Sequence, residues 1–131
     1  MKASIRYIHS PDVQWQEALL SSRVRDGLSI QVIAGPDDGP GEESFDLIVC
    51  TPDWLTTEID ESGPQFGRHL LIVSEMNPAA IDRALRVKFE SETGTDWDDL
   101  ALKLGRWGHW EFEDHDNSYP SEGGAVARPS E

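Results

Sequence analysis

The stretch from Gly35 to Leu55 constrains the fold of this chain more than any other part. It begins with an acidic segment rich in glycine and proline, which excludes regular secondary structure there. The segment 44–51 then alternates apolar and polar residues and predicts a strand. Thr51 is a good helix N-cap, and Pro52 suits the first helical position. The sequence therefore predicts a loop, a strand and the start of a short helix in direct succession.

Four other segments have the character of strands. Residues 2–9 predict a first strand, and residues 28–34 alternate cleanly as a half-buried strand. The strands at 28–34 and 44–51 together predict a hairpin with a wide connection. Residues 70–73 are apolar on both faces, which favours a central or helix-covered strand. A last strand is predicted over about 107–114.

Two helices are well marked by their capping residues and apolar spacing. The first is predicted over about 77–93, with Gly94 ending it, and the second over about 96–104, with Thr95 as its N-cap. A short helix is expected from Pro52 through about Thr57, and segment 13–22 fits helical spacing only loosely. These elements predict the α+β class, with a four- to five-stranded, mostly antiparallel sheet packed with the two main helices.

Length and composition favour one domain with a tail. The chain has 131 residues, of which 37% are hydrophobic, which suffices for a core. We expect a single globular α+β domain over 1–114 and a flexible polar tail over 115–131. The single cysteine, Cys50, excludes an intramolecular disulfide. No apolar leader or membrane-spanning run is visible, so we expect a cytoplasmic protein.

Negative charge dominates the chain and is placed unevenly. There are 25 acidic against 11 basic residues, a net charge of −14. No Lys or Arg occurs between Arg25 and Arg68, although that interval is rich in Asp and Glu. Such a surface repels nucleic acid and anionic membranes, and it attracts basic proteins. A solvated face that keeps the protein soluble is the alternative interpretation.

This acid-only interval supplies the first-choice residues for binding a basic partner. Trp54 belongs with them, either as an aromatic anchor ringed by charge or as a core residue. The predicted binding residues are Asp37, Asp38, Glu42 and Glu43 first, and then Asp53, Trp54, Glu58, Asp60 and Glu61.

The last predicted strand offers the best candidate for a reactive site. His109, Glu111 and Glu113 would lie on one face, roughly 6.5–7 Å apart, where they could bind a metal or act as acid and base. An ordinary solvated strand face shows the same alternation. Together with Asp114, these residues form the second-choice binding surface.

Sequence motifs for other chemistry are missing. The four histidines have no metal-ligand spacing, and no nucleophile elbow accompanies any serine. The glycines after residue 34 match no phosphate-binding fingerprint, and the neighbouring acids would repel a phosphate. The sequence therefore predicts no catalytic residue, no metal ligand and no cofactor, and we expect a protein that is not an enzyme.

Several segments, in this order, resemble the immunity protein 8 family. They are IHSPD at 8–12, IAGP at 33–36 with GEESFD at 41–46, CTPDWL at 50–55, FGRHLLIV at 66–73 and GHWEFED at 108–114. The resemblance covers about residues 1–114 and leaves out segment 13–27 and the tail. It implies a small bacterial protein that neutralises a cognate toxin of a polymorphic or contact-dependent toxin system by binding, without catalysis or cofactor. It does not indicate which residues touch the toxin.

Charge and resemblance together favour an immunity protein whose acidic surface covers a basic active-site cleft on a cognate protein toxin. Toxins that act on nucleic acid carry basic clefts, so a nuclease-like toxin is the expected partner. We do not expect nucleic acid or a membrane as a partner. The rivals are a small metal-dependent hydrolase that uses His109, Glu111 and Glu113, and an acidic adaptor for another basic protein. The sequence leaves the oligomeric state open.

Overall fold

The computed structural model describes residues 1–11, 14–16 and 27–113. Most of segment 13–22 and the whole predicted tail lie outside these residues, so the predicted domain boundary stays a prediction. The elements are β1 Ala3–His9, β2 Gly27–Pro36, β3 Glu43–Cys50, α1 Pro52–Ser62, β4 Leu70–Ile72, α2 Pro78–Ser91, α3 Trp97–Leu104 and β5 His109–Trp110. The predicted α+β class is confirmed.

The sheet has the order β1-β2-β3-β4, with β5 also paired to β3. β1–β2, β2–β3 and β3–β5 are antiparallel, so the predicted hairpin is confirmed, while β3–β4 is parallel. β4 pairs with residues 48–50 of β3 and β5 with residues 45–46. The two short strands therefore share one edge of β3, each occupying part of its length.

Of the two alternatives for residues 70–73, a central or a helix-covered strand, the central one was wrong, because β4 lies at the edge of the sheet. Its residues are apolar on both faces for two different reasons. Leu71 packs against the core, whereas Ile72 is 53% exposed on the other face. A run of apolar residues alone cannot distinguish this arrangement from a strand buried on both faces.

β1 contains an irregularity that decides where Arg6 points. Ile5 pairs with Ala34 and Tyr7 with Ile33, so Arg6 has no partner across the ladder. This β-bulge shifts the alternation, which lets Ile5 and Ile8 both be buried although they are three residues apart. A bulge commonly redirects a side chain, and here it sends Arg6 towards the β2–β3 connection.

The core lies between one face of the sheet and helices α2 and α3. The helices contribute Ile81, Leu85 and Phe89 from α2 and Leu100, Ala101 and Leu104 from α3, all buried. The Phe89 ring meets Phe45 of β3 edge to face, with centroids 5.6 Å apart. Each such buried ring stabilises the fold by about 1.5–3 kcal/mol relative to exposure.

The helix starts follow the expected capping chemistry, with one correction. Asn77 accepts a hydrogen bond from the Ala80 N–H, as predicted for α2. α3 is capped by Asp96, which accepts from the Asp99 N–H, and not by Thr95. The Asp99 carboxylate instead accepts from the Thr95 N–H, which makes a reciprocal pair of caps.

Two predicted boundaries were wrong. α1 continues to Ser62 instead of stopping near Thr57, because no helix breaker precedes its C-cap Gly63. The last strand covers only His109–Trp110, not 107–114. Residues 111–113 form a turn instead, in which the Glu113 N–H donates to the Trp110 carbonyl oxygen at 2.9 Å.

Candidate functional site

The structure divides the acid-only interval into two clusters. The tip cluster comprises Asp37, Asp38, Glu42 and Glu43, at and beside the connection between β2 and β3. The helix cluster comprises Asp53, Glu58, Asp60 and Glu61, all on α1. The tip cluster precedes β3 and the helix cluster follows it, so the full length of the strand separates them. That length is about 23 Å at roughly 3.3 Å per residue.

The predicted first-choice residues therefore do not form one continuous patch. They flank the hairpin at opposite ends, because the acidic interval contains an entire strand. Asp46 lies between the clusters on β3 and is exposed.

Arg6 holds the tip cluster in place. Its guanidinium Nη2 donates to the carbonyl oxygens of Pro36, Gly39 and Gly41, at 2.9, 2.7 and 3.2 Å. Gly35 completes the arrangement, because a Cβ there would collide with the Gly41 carbonyl oxygen. The connection is thus fixed through its backbone, and the exposed Asp37, Asp38 and Glu42 carboxylates are left facing solvent.

Glu43 differs from the other acids of the tip cluster. Its Oε1 atom accepts hydrogen bonds from the indole N–H groups of Trp97 and Trp110, at 2.9 and 2.7 Å. This one carboxylate oxygen therefore connects the start of β3 with α3 and β5. Contact with a partner stays a prediction for Glu43, but the fold already uses its carboxylate.

α1 is little buried by the rest of the described chain. None of its residues is buried, and the helix is held at its start by the Thr51 hydroxyl, which accepts from the Trp54 N–H at 3.3 Å. The half-buried Trp54 ring covers the backbone of Gly27, where any Cβ would collide with it. Trp54 therefore packs the start of α1 against the first residue of β2.

Cys50, the last residue of β3, pairs with Gly27 of β2 and is fully buried. Burial raises the pKa of its thiol above the usual value of 9.0. A buried neutral thiol agrees with the sequence, which indicated a small apolar strand residue.

The acids of both clusters form no ion pair with another part of the chain that the structure describes. The described residues contain three ion pairs, Arg68–Glu113, Arg86–Asp82 and Lys103–Asp99, and none of them involves either cluster. The described Lys and Arg residues between 68 and 106 belong mostly to α2, α3 and the turn after α3. At the tip cluster the Arg6 guanidinium offsets part of the negative charge through its contacts with the backbone, and the carboxylates themselves are left outside the three ion pairs.

The second-choice surface is not the strand face that the sequence predicted. The Glu111 carboxylate accepts from the Ser44 N–H at 2.6 Å, and the Glu113 carboxylate pairs with Arg68 at 2.9 Å. His109 is exposed, and its ring meets that of His69 edge to face at 5.7 Å. Asp114 lies outside the described residues.

The three proposed metal ligands of that surface are therefore engaged separately. Within residues 1–11, 14–16 and 27–113, no group of three or more His, Cys, Asp or Glu side chains is placed to hold a metal ion. A shallow groove of about 340 Å³ lies on the sheet nearby, lined by Gln31, Asp46 and His69 among others.

Sequence reasoning missed three exposed apolar residues near the helix cluster. Phe66 is 98% exposed, Ile72 53% and Ile59 39%. The signal for Phe66 was present in the sequence, because it stands alone among Gly, Pro and Gln residues, where no periodicity could bury it.

Comparison with known proteins identifies the family of the chain. A family model described as immunity protein 8 matches residues 3–115. The chain belongs to the immunity protein 8 family. No curated protein and no solved structure matches it significantly.

An immunity protein has a toxin as its partner, so the functional site is a protein-binding surface. In the part of the chain that the structure describes, no helix has the length and apolar character needed to span a membrane.

Proposed function

We propose that this immunity protein neutralises a nuclease-like toxin by placing its acidic surface over the toxin's basic active-site cleft, which excludes the substrate. The observation that supports the proposal is the set of carboxylates in the two clusters, none of which takes part in an ion pair among the described residues. Retaining so many like charges lowers stability through repulsion, and a cationic partner would relieve it.

Electrostatic complementarity acts mainly on encounter and partner choice. Clustered charge raises association rates and rejects partners of the same sign, while a few well-packed contacts hold the complex. A nuclease cleft is cationic because it must bind phosphates. An acidic protein competes for that same surface.

The experiment uses the toxin encoded immediately upstream, in a catalytically inactivated form, with calorimetry for affinity and stopped flow for rates. We expect tight binding, an association rate that falls steeply as salt rises, and rescue of growth when the active toxin is co-expressed. A complex whose formation is indifferent to salt would contradict the electrostatic part.

Charge reversal at the tip cluster sharpens the test. The variant Asp37→Lys with Asp38→Lys should slow association roughly tenfold or more at low salt. Glu43 is left intact because its reversal would break the two indole hydrogen bonds. The matched control is Glu75→Lys with Asp98→Lys, which changes the net charge equally at two exposed acids elsewhere.

If the control slows association as much as the tip variant, the effect reflects net charge alone and the tip cluster is not a contact. If the upstream toxin is not bound and another basic protein is, the adaptor hypothesis is favoured. Turnover of a small compound by the isolated chain would contradict the whole proposal.

A further inference from the structure

Three apolar side chains are exposed in the segment from α1 to the end of β4. Phe66 follows α1 in the loop before β4 and is 98% exposed, and Ile59 on α1 is 39% exposed. Ile72, at the end of β4, is 53% exposed. Single exposed apolar residues are ordinary, but these three belong to one β3–α1–β4 unit that also carries the helix cluster.

α1 is weakly covered by the rest of the protein. An isolated helix of this length is marginal in water, so helices in proteins normally depend on burying a face. α1 has 11 residues and buries none of them. Its supports are the Thr51 cap, the Trp54 ring over Gly27 and the C-cap at Gly63.

We propose that α1 and the loop to β4 form the surface that holds the toxin, with Phe66 entering an apolar recess on the toxin. The helix cluster contacts the Lys and Arg residues around that recess. This inference rests on the proposed function and locates the anchoring contact within it.

The charge of α1 identifies the class of partner. The helix carries four acids and no Lys or Arg, so its neighbour must be cationic. A second copy of the chain would oppose one helix cluster to another in a symmetric interface, which like charges disfavour. Anionic membranes and nucleic acid are disfavoured for the same reason. A basic protein is the remaining class.

The tip cluster does not have the composition of an anchor. Between β2 and β3 the chain reads DDGPGE, with no large apolar side chain. Residues that dominate binding energy are mostly aromatic or Arg and are fully desolvated in the complex, with polar contacts around them. Phe66, an exposed aromatic residue in the loop that follows the acidic helix α1, matches that description, and the tip cluster matches a steering surface.

The test compares Phe66→Ala with Leu102→Ala, using the inactivated upstream toxin domain and stopped-flow kinetics. Leu102 is a matched control because it is 61% exposed on α3, away from the β3–α1–β4 unit. Phe66→Ala should raise the Kd about 30-fold, almost entirely through faster dissociation. Leu102→Ala should leave both rates at the wild-type level.

Phe66→Leu should recover part of the affinity, because an apolar recess accepts leucine. Circular dichroism checks that each variant is folded, which is expected since Phe66 makes no buried contact. If the wild type binds and Phe66→Ala binds equally well, the anchor is wrong and the proposed function stands. If the wild type does not bind, both fall.

Sedimentation of the chain alone separates the remaining possibility. We expect Phe66→Ala and wild type to have the same oligomeric state. If the substitution instead converts a dimer to a monomer and leaves toxin dissociation unchanged, the surface serves a second copy and the inference is overturned.

Discussion

The tip cluster and the helix cluster lie at opposite ends of β3, and the chain supports them in different ways. The tip is held by three hydrogen bonds from Arg6 to its backbone and offers charge without apolar surface. α1 is held by a cap and one tryptophan ring, and it offers charge beside exposed apolar residues. The two clusters carry the same number of acids but are supported differently. This difference suits the tip cluster to steering the toxin and the helix cluster to holding it.

The largest effect is expected from an acid that belongs to the tip cluster by position but serves the fold. Glu43→Ala removes the acceptor of the Trp97 and Trp110 indole N–H groups and should lower the free energy of unfolding by about 2–3 kcal/mol. Urea denaturation measures it. Glu42→Ala, at an exposed acid, should stay within about 0.5 kcal/mol of wild type. Equal effects would show that the indole bonds contribute little.

The second prediction displaces α1 without altering any charge. Gly27→Ala places a Cβ against the Trp54 ring and should destabilise the protein by about 1–3 kcal/mol. Because α1 must shift, toxin dissociation should accelerate while association is unchanged. Calorimetric unfolding and stopped flow provide the two measurements.

Gly39→Ala is the matched control for that substitution, since a Cβ at Gly39 meets no atom within 4 Å. It should leave toxin dissociation unchanged. A Gly27→Ala variant that is less stable but releases toxin at the wild-type rate would mean that the position of α1 does not matter for holding.

The third prediction concerns the β2–β3 connection once Arg6 no longer holds it. Arg6→Ala removes the donor of the three carbonyl bonds and should cost about 1–2 kcal/mol. Amide exchange should accelerate between β2 and β3 and not in α1. Arg83→Ala removes the same charge from an exposed site on α2 and controls for net charge. Exchange that accelerates equally in α1 would contradict the independence of the two regions.

The smallest effect concerns Cys50, at the junction of β3 and α1. Its pKa is raised by burial, so in the alkaline range the unfolded chain loses the thiol proton before the folded protein does. The free energy of unfolding should therefore fall as pH rises above about 9. Urea midpoints at about pH 8 and 10 measure this. Between these two pH values, the midpoint of Cys50→Ala should fall less than that of the wild type. Equal slopes would show that the thiol does not contribute.

The strands and helices with strong periodicity or capping signals could be predicted from the sequence. Asn77 and Pro78 indicated the start of α2, and the apolar alternation of 28–34 and 44–51 indicated the hairpin. Where the prediction failed, the reason was tertiary. β5 ends at Trp110, where residues 111–113 form a turn and Glu113 pairs with the distant Arg68, a contact that residues 111–114 alone do not reveal.

The candidate site was only partly predictable. The acid-only interval was visible in the sequence, and so was its preference for a basic partner. Its division into two clusters was not considered, although a strand was predicted inside it. Phe66 was not among the predicted binding residues, and the structure adds that its side chain is 98% exposed.

The sequence by itself determined the class of fold, the family and the sign of the surface, because these depend on residue types and their spacing. Only the tertiary structure decided which acids stay free. Glu43 is used by two indoles because α3 and β5 converge on the start of β3. Among the described residues, none of the three ion pairs involves Asp53 or the other acids of α1. Such partnerships are long-range contacts, and local sequence does not encode them.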